Sequence, residues 1–341
     1  MVGGCVCLML LLAGATIIID PFLHFHGGLS FLQYPLNNER YQNDGISRHY
    51  DYDSIVAGTS MSENFKTSEF DQLWGGTSIK ICNSGATFYE TSQTIRRALS
   101  YQPNVKTVLC SFDWMSLNYS AMEYTYTNYP DYLYDDNPFN DVSYFLNKEV
   151  LPSTVAVVNY TRAGNKTTTM DQYMEWGSYK EYGKDVVLEK YHLAEIATEV
   201  AELSDEDRKK ISENVTENFV KLAQSHPDVT FLLFFPPYNI CFWESLVRGG
   251  QMEAQEEILK MATELLLEVD NIEIYDFSYR VDIVNNFDNY TDTLHYGPWI
   301  STEILQMIHN KEGLLTRENY LQYWEETFEL YQEFDYSEYK K

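Results

Sequence analysis

Five short apolar runs constrain this chain most: residues 54–58, 78–82, 105–111, 229–235 and 272–277. Each is rich in Val, Ile, Leu or Phe, and most lack the polar alternation of a strand with one wet face. That pattern predicts parallel strands buried on both sides. The segments between them carry helical spacing. Residues 86–99 follow the second run. Ser204 predicts a cap for a helix over 205–224, with Asp207 closing a capping box. In that helix Ile211, Val215, Phe219 and Leu222 recur on one face. Residues 251–269 lead into the last run. Strand and helix in alternation predict an α/β fold, a doubly wound and mainly parallel five-stranded sheet.

One gap is far longer than a crossover needs. Residues 114–203 separate the third and fourth runs and predict an inserted lid. Seven tyrosines fall between Tyr119 and Tyr144, and their rings and hydroxyls suit carbohydrate. After the sheet, 298–308 and 317–334 predict two more helices. The aromatic stripe Tyr320, Trp324, Phe328 and Tyr331 is read as packing on the domain.

Composition narrows the partners. The formal net charge of −27 over 341 residues repels phosphate backbones, which excludes nucleic acid. An aromatic content of 15% within a hydrophobic content of 44% supplies a packed core. The cysteines at 5, 7, 82, 110 and 241 show neither metal spacing nor a disulfide framework, and no histidine pair suggests a metal site. No cofactor is expected.

Residues 2–19 contain no charge and no proline. A bilayer needs about 20 apolar residues, so this run sits at the low edge. It stops at Asp20-Pro21, and Phe22, His24 and Phe25 suggest an interfacial collar. The expectation is a membrane anchor over 1–22, single-pass, with an extracytoplasmic domain over 23–341; a cleaved signal peptide is the alternative.

Ligands of open α/β sheets bind beyond the carboxyl ends of the strands. Gly58-Thr59-Ser60 follows the first run, placing a serine hydroxyl at the mouth of the sheet. Asn83-Ser84-Gly85 follows the second, where a glycine N–H can serve an oxyanion. Asp113 follows the third, and Pro236-Pro237-Tyr238 the fourth; Asp113, Pro237 and Tyr238 are candidate pocket residues. Asp292-Thr293-Leu294-His295 follows the last. There a carboxylate three residues before an imidazole can orient one ring nitrogen while the other meets a serine.

Together these elements resemble the SGNH/GDSL hydrolase superfamily. Gly58-Thr59-Ser60, Gly85 and Asp292-x-x-His295 match its first, second and fifth blocks, in order, over roughly 50–310 without much of the insertion. The resemblance implies a flavodoxin-like sheet, Ser60 as nucleophile, Asp292 and His295 as its partners, and the amides of Ser60 and Gly85 as the oxyanion hole. The third block departs, because Asp113 stands where the pattern has an asparagine. An ionised carboxylate cannot donate, so Asp113 either faces another group, is protonated, or pairs with Arg96, Arg97 or Arg280. That departure favours specialised acyl transfer over general hydrolysis.

Ile19-Asp20-Pro21-Phe22, the run Gly58 to Phe65, Phe235-Pro236-Pro237-Tyr238 and His295 to Trp299 look like the membrane-anchored bacterial branch, which includes the teichoic-acid D-alanyl-transfer protein and alginate O-acetylation proteins. That branch implies a membrane-bound O-acyltransferase as partner and a cell-surface glycan or polyol polymer as acceptor. A secreted or anchored carbohydrate or lipid esterase with the same triad and a non-catalytic adaptor for such an acyltransferase are the rival expectations.

Overall fold

A computed structural model describes the backbone of residues 2–339. All five apolar runs are strands: β1 (Ser54–Gly58), β2 (Ser78–Cys82), β3 (Thr107–Ser111), β4 (Thr230–Phe235) and β5 (Ile272–Asp276). A sixth, β6 (Leu314–Leu315), lies outside the five expected and runs antiparallel along β5, pairing Leu315 with Ile274. The sheet order is β2-β1-β3-β4-β5-β6. The result is an α/β fold with a mixed, mostly parallel six-stranded sheet and helices around it.

β1, β2 and the last five residues of β4 are buried throughout. The run Phe231-Leu232-Leu233-Phe234-Phe235 is no more than 2% exposed anywhere, as expected when helices cover both faces. Each such side chain contributes roughly 1.5–3 kcal/mol through burial. The chain passes outward from β1 to β2, then returns across β1 to β3. The strand order therefore reverses between β1 and β3, and a crevice opens beyond their carboxyl ends.

The helices follow local chemistry. Thr87 and Glu90 form a capping box that starts Phe88–Tyr101. Ser204 and Asp207 form the expected box at Asp205–Val215. That helix does not run unbroken to 224, because Thr216–Val220 is a π turn. Asn218 Nδ2 donates to Asn214 O and Oδ1 there, and Asn214 Nδ2 donates to Ser116 O at 2.9 Å. The final helix, Tyr320–Gln332, buries its aromatic stripe as expected. The Trp324 ring stands 5.2 Å from that of Phe235, and Tyr331 stacks on Trp243 at 4.0 Å.

The expected membrane anchor needs correction. Among the described residues, no helix is long and apolar enough to cross a membrane. The apolar run does form a helix, Val2–Ile19, but 18 residues rise only about 27 Å against a hydrocarbon core of about 30 Å. Its carboxyl end is also committed to the protein. Thr16 and Asp20 are buried, and His26 Nε2 bonds Ile17 O at 2.9 Å. Of the expected interfacial collar, Phe25 stays exposed while Phe22 and His24 turn inward. Phe22 is 1% exposed and packs on Tyr41 and Tyr144. His24 bonds Asp141 at 3.0 Å. Asp20 Oδ1 accepts from the Tyr144 hydroxyl, while its Oδ2 accepts from the amides of Phe25 and His26.

Candidate active site

β1 leaves the sheet at Gly58 with φ of +122°. A Cβ there would lie 2.2 Å from Ser111 Oγ and 2.7 Å from Ser62 Oγ, so only glycine fits. Those two hydroxyls lace β1 to β3. Thr59 N donates to Ser111 Oγ, and Ser111 N donates to Ser62 Oγ, each at 3.2 Å. Ser62 N closes the turn onto Thr59 O at 2.9 Å. Ser60 stands at its apex, half-buried.

The loop after β5 brings up the imidazole. Thr291 N donates to His295 O, and Tyr290 bridges Tyr296. Tyr296, itself buried, donates its hydroxyl to Met61 O at 2.8 Å, tying this loop to the serine turn. Asp292 Oδ1 accepts from the amides of Leu294 and His295 at 2.9 and 2.8 Å. His295 Nδ1 lies 3.0 Å from Asp292 Oδ2, and Nε2 lies 2.9 Å from Ser60 Oγ. A carboxylate only accepts, so Nδ1 carries the proton and Nε2 is left to accept the Ser60 hydroxyl. Burial pushes the Asp292 carboxyl up, but the bond and charge of His295 and the two amides outweigh it and hold the group at about 2. The three side chains expected from the sequence are thus brought into one hydrogen-bonded line.

The expected oxyanion donors are available. Among the described residues, neither the Ser60 amide nor the Gly85 amide has a hydrogen-bond acceptor. Gly85 holds φ of +61° beside open space, and its carbonyl is fixed by Thr125 Oγ1 at 2.8 Å.

Asp113 behaves otherwise than expected. It does not line the cavity and pairs with none of the three arginines. Arg96 donates to Glu217 O, Arg97 to Asp44 and Asp136, and Arg280 to Asp282 and Glu303. Asp113 instead accepts from Thr59 Oγ1 at 2.9 Å, from Met115 N at 3.0 Å and from the Tyr238 hydroxyl. It braces the serine turn from beneath. Tyr238 is buried with it, and Pro237 uses its carbonyl to accept from the Tyr290 hydroxyl. Neither lines the cavity, so the pocket expected from Asp113, Pro237 and Tyr238 is corrected to a buried support.

The cavity itself holds about 720 Å³. Ser60, Glu63, Ser84 and His295 line it, with Trp176, Tyr179 and Lys180 from the insertion. Trp176 was not legible in the sequence. Its indole Nε1 donates to Ser60 O at 3.2 Å, and its ring meets His295 edge-on at 5.3 Å. Lys190 Nζ donates to Thr291 O at 2.7 Å, bracing the histidine loop from the same insertion. The Tyr-rich half fares differently. None of the tyrosines from Tyr119 to Tyr144 lines this cavity; Tyr132, Tyr134 and Tyr144 pack with Phe22 and Tyr41.

Lys80, wholly buried in β2, donates to the carbonyls of Glu63, Phe65 and Asp171. It joins the segment after Ser60 to the insertion, and burial pulls its ammonium down to about 8. Among the described residues no cluster of His, Cys, Asp and Glu could hold a metal ion.

No protein-family model matches the chain, and no curated protein matches it. One solved structure with some likeness is "The structure of a putative platelet activating factor from Streptococcus pneumonia". It is 12% identical, with a TM-score of 0.38, covering 80% of this chain and 89% of that one. A likeness that low leaves function to the site itself.

Proposed function

We propose that this chain is a serine-dependent acyl-transfer enzyme of the SGNH/GDSL type, moving an acetyl or similar group to a hydroxyl of a polysaccharide or polyol polymer. One observation carries it: Ser60, His295 and Asp292 stand in hydrogen-bonded line, 2.9 and 3.0 Å apart, at the wall of a 720 Å³ cavity. The β2-β1-β3-β4-β5 portion of the sheet has the flavodoxin-like order, with Ser60 beside its switch point.

In the first half-reaction His295 Nε2 takes the Ser60 proton as Oγ attacks the acyl carbonyl. The Ser60 and Gly85 amides receive the oxyanion. The C–O or C–S bond to the leaving group breaks, and His295 returns the proton to it. In the second half-reaction an acceptor hydroxyl gives its proton to His295 and attacks the acyl-serine; the acyl–Oγ bond breaks, His295 returns the proton to Ser60, and the new ester leaves. Asp292 keeps the ring in the required tautomer throughout.

The test uses p-nitrophenyl acetate with and without a glycan or polyol acceptor. Mass spectrometry is expected to find the acetyl group on Ser60, and Ser60→Ala is expected to abolish both adduct and turnover. Turnover that survives Ser60→Ala sinks the proposal. Rapid hydrolysis indifferent to acceptor converts it to an esterase with the same triad.

A further inference from the structure

The wall beside Ser60 carries a carboxyl that the triad does not use. Glu63 follows the nucleophile by three residues and is 1% exposed, yet it lines the cavity with Ser60, Ser84 and His295. One carboxyl oxygen, Oε1, accepts from Ser84 Oγ at 2.7 Å. The other, Oε2, has no hydrogen-bond partner among the described residues and is not fully enclosed by protein. Neighbouring donors are already engaged. Ser84 gives its hydroxyl proton to Glu63, the Trp176 N–H goes to Ser60 O, and Asp113 is held beneath the turn. Ser84 also fixes the orientation of the Glu63 carboxyl, and its own carbonyl is held by Arg40 at 2.7 Å.

Resting on the acyl-transfer function proposed above, we propose that Glu63 is a further catalytic residue, a neutral carboxylic acid whose Oε2–H donates a hydrogen bond to the acyl oxygen as it becomes an oxyanion. The proton remains on Glu63 and no bond to it forms or breaks. The partner it demands is a hydrogen-bond acceptor, which every ester or thioester carbonyl supplies. A neutral acid in a poorly hydrated pocket stabilises a developing oxyanion where an ionised carboxylate would repel it.

The surroundings keep the acid form accessible near neutrality. Burial pushes the Glu63 carboxyl up to about 7, the Ser84 bond pulls it down, Glu39 pushes it up, and Lys80 and His295 pull it down. The Cys82 thiol and the Tyr173 phenol also face it, and burial keeps both neutral.

The experiment is a pH profile of kcat/KM for p-nitrophenyl acetate on the full chain and its variants, each checked for folding by circular dichroism. Wild-type activity is expected to fall above about pH 7 as Glu63 ionises, approaching tenfold per pH unit. Glu63→Gln keeps an N–H donor that does not titrate. It is expected to retain activity within about tenfold below pH 7 and to lose the alkaline fall. Glu63→Ala is expected to lose about 10²–10³-fold below pH 7, with the gap to wild type closing as Glu63 ionises at higher pH. An unchanged alkaline fall in Glu63→Gln overturns the role, whether or not the alanine variant folds. Ser60→Ala separates the two proposals. If it is inert while both Glu63 variants follow the wild-type profile, only the Glu63 role fails. If it remains active, the serine mechanism fails first.

Discussion

Asp292 makes no choice about which proton to accept, and that is the basis of its role. Two amides and one ring N–H converge on it, and each demands an acceptor. Asp292→Asn offers an amide N–H as well as an oxygen. If that N–H turns to the ring, Nδ1 becomes the acceptor and Nε2–H faces Ser60, which can no longer be deprotonated there. The expected outcome is a loss of about 10³–10⁴-fold in kcat with little change in KM, measured by steady-state kinetics on p-nitrophenyl acetate. A loss below tenfold would remove Asp292 from the mechanism. Its acid limit follows from the depressed carboxyl. The stability it contributes is present above the ordinary aspartate range near 4 and is lost as pH falls through about 2. Spacing made this pair legible beside the family pattern, because a separation of three residues on one tight turn brings both side chains to one side. Asp113 shows the opposite case. Its position after a strand was legible, but its direction was set by Thr59 and Tyr238, 54 and 125 residues away in sequence.

The turns after β1 and β2 use glycine for different reasons, and substitution separates them. Gly58→Ala drives a methyl into two hydroxyls that lace β1 to β3. Gly85→Ala meets open space and bears only the backbone cost of a left-handed residue, about 1–2 kcal/mol. Thermal denaturation is expected to show a clearly larger loss for Gly58→Ala. Equal losses would mean that the β1–β3 lacing yields easily. The five long strands were legible because burial on both faces is a local signal, and the helix start at Asp205 because its capping box is one. β6 was not, since two leucines form no pattern and their strand exists only against β5. The π turn escaped for a similar reason, as Asn214 answers to a carbonyl 98 residues away. In the insertion, tyrosine density drew attention to 119–144, while Trp176 reached the site through one long-range bond that no periodicity announces. The apolar N-terminal run was misread because hydropathy does not reveal that its last turn is seated on protein.

Buried acids and the overall charge together set how the whole molecule responds to pH. Asp276, wholly buried at the end of β5, is pushed up to about 7 by burial, against the opposing bonds from Tyr323 and Ser278. Glu63 is raised to about 7 as well. A carboxyl raised in the fold binds its proton more tightly than in the unfolded chain. Its contribution is therefore complete below the ordinary carboxylate range and is lost as pH rises through about 7. The net charge of −27 adds self-repulsion in the same direction, since every further ionised acid increases it. Stability is thus expected to fall between pH 5 and pH 8, read as a declining Tm. Added salt separates the two causes. It screens repulsion between exposed charges and is expected to recover part of the decline in every variant. It does little for a carboxylate sealed in the core. Asp276→Asn, which stays neutral and can still accept from Tyr323 and Ser278, is expected to flatten the slope at high salt by its own share, on the order of a few kcal/mol. A Tm that rises across this interval would place both carboxyls in the ionised form at neutrality, and with it would go the acid form on which the Glu63 role depends.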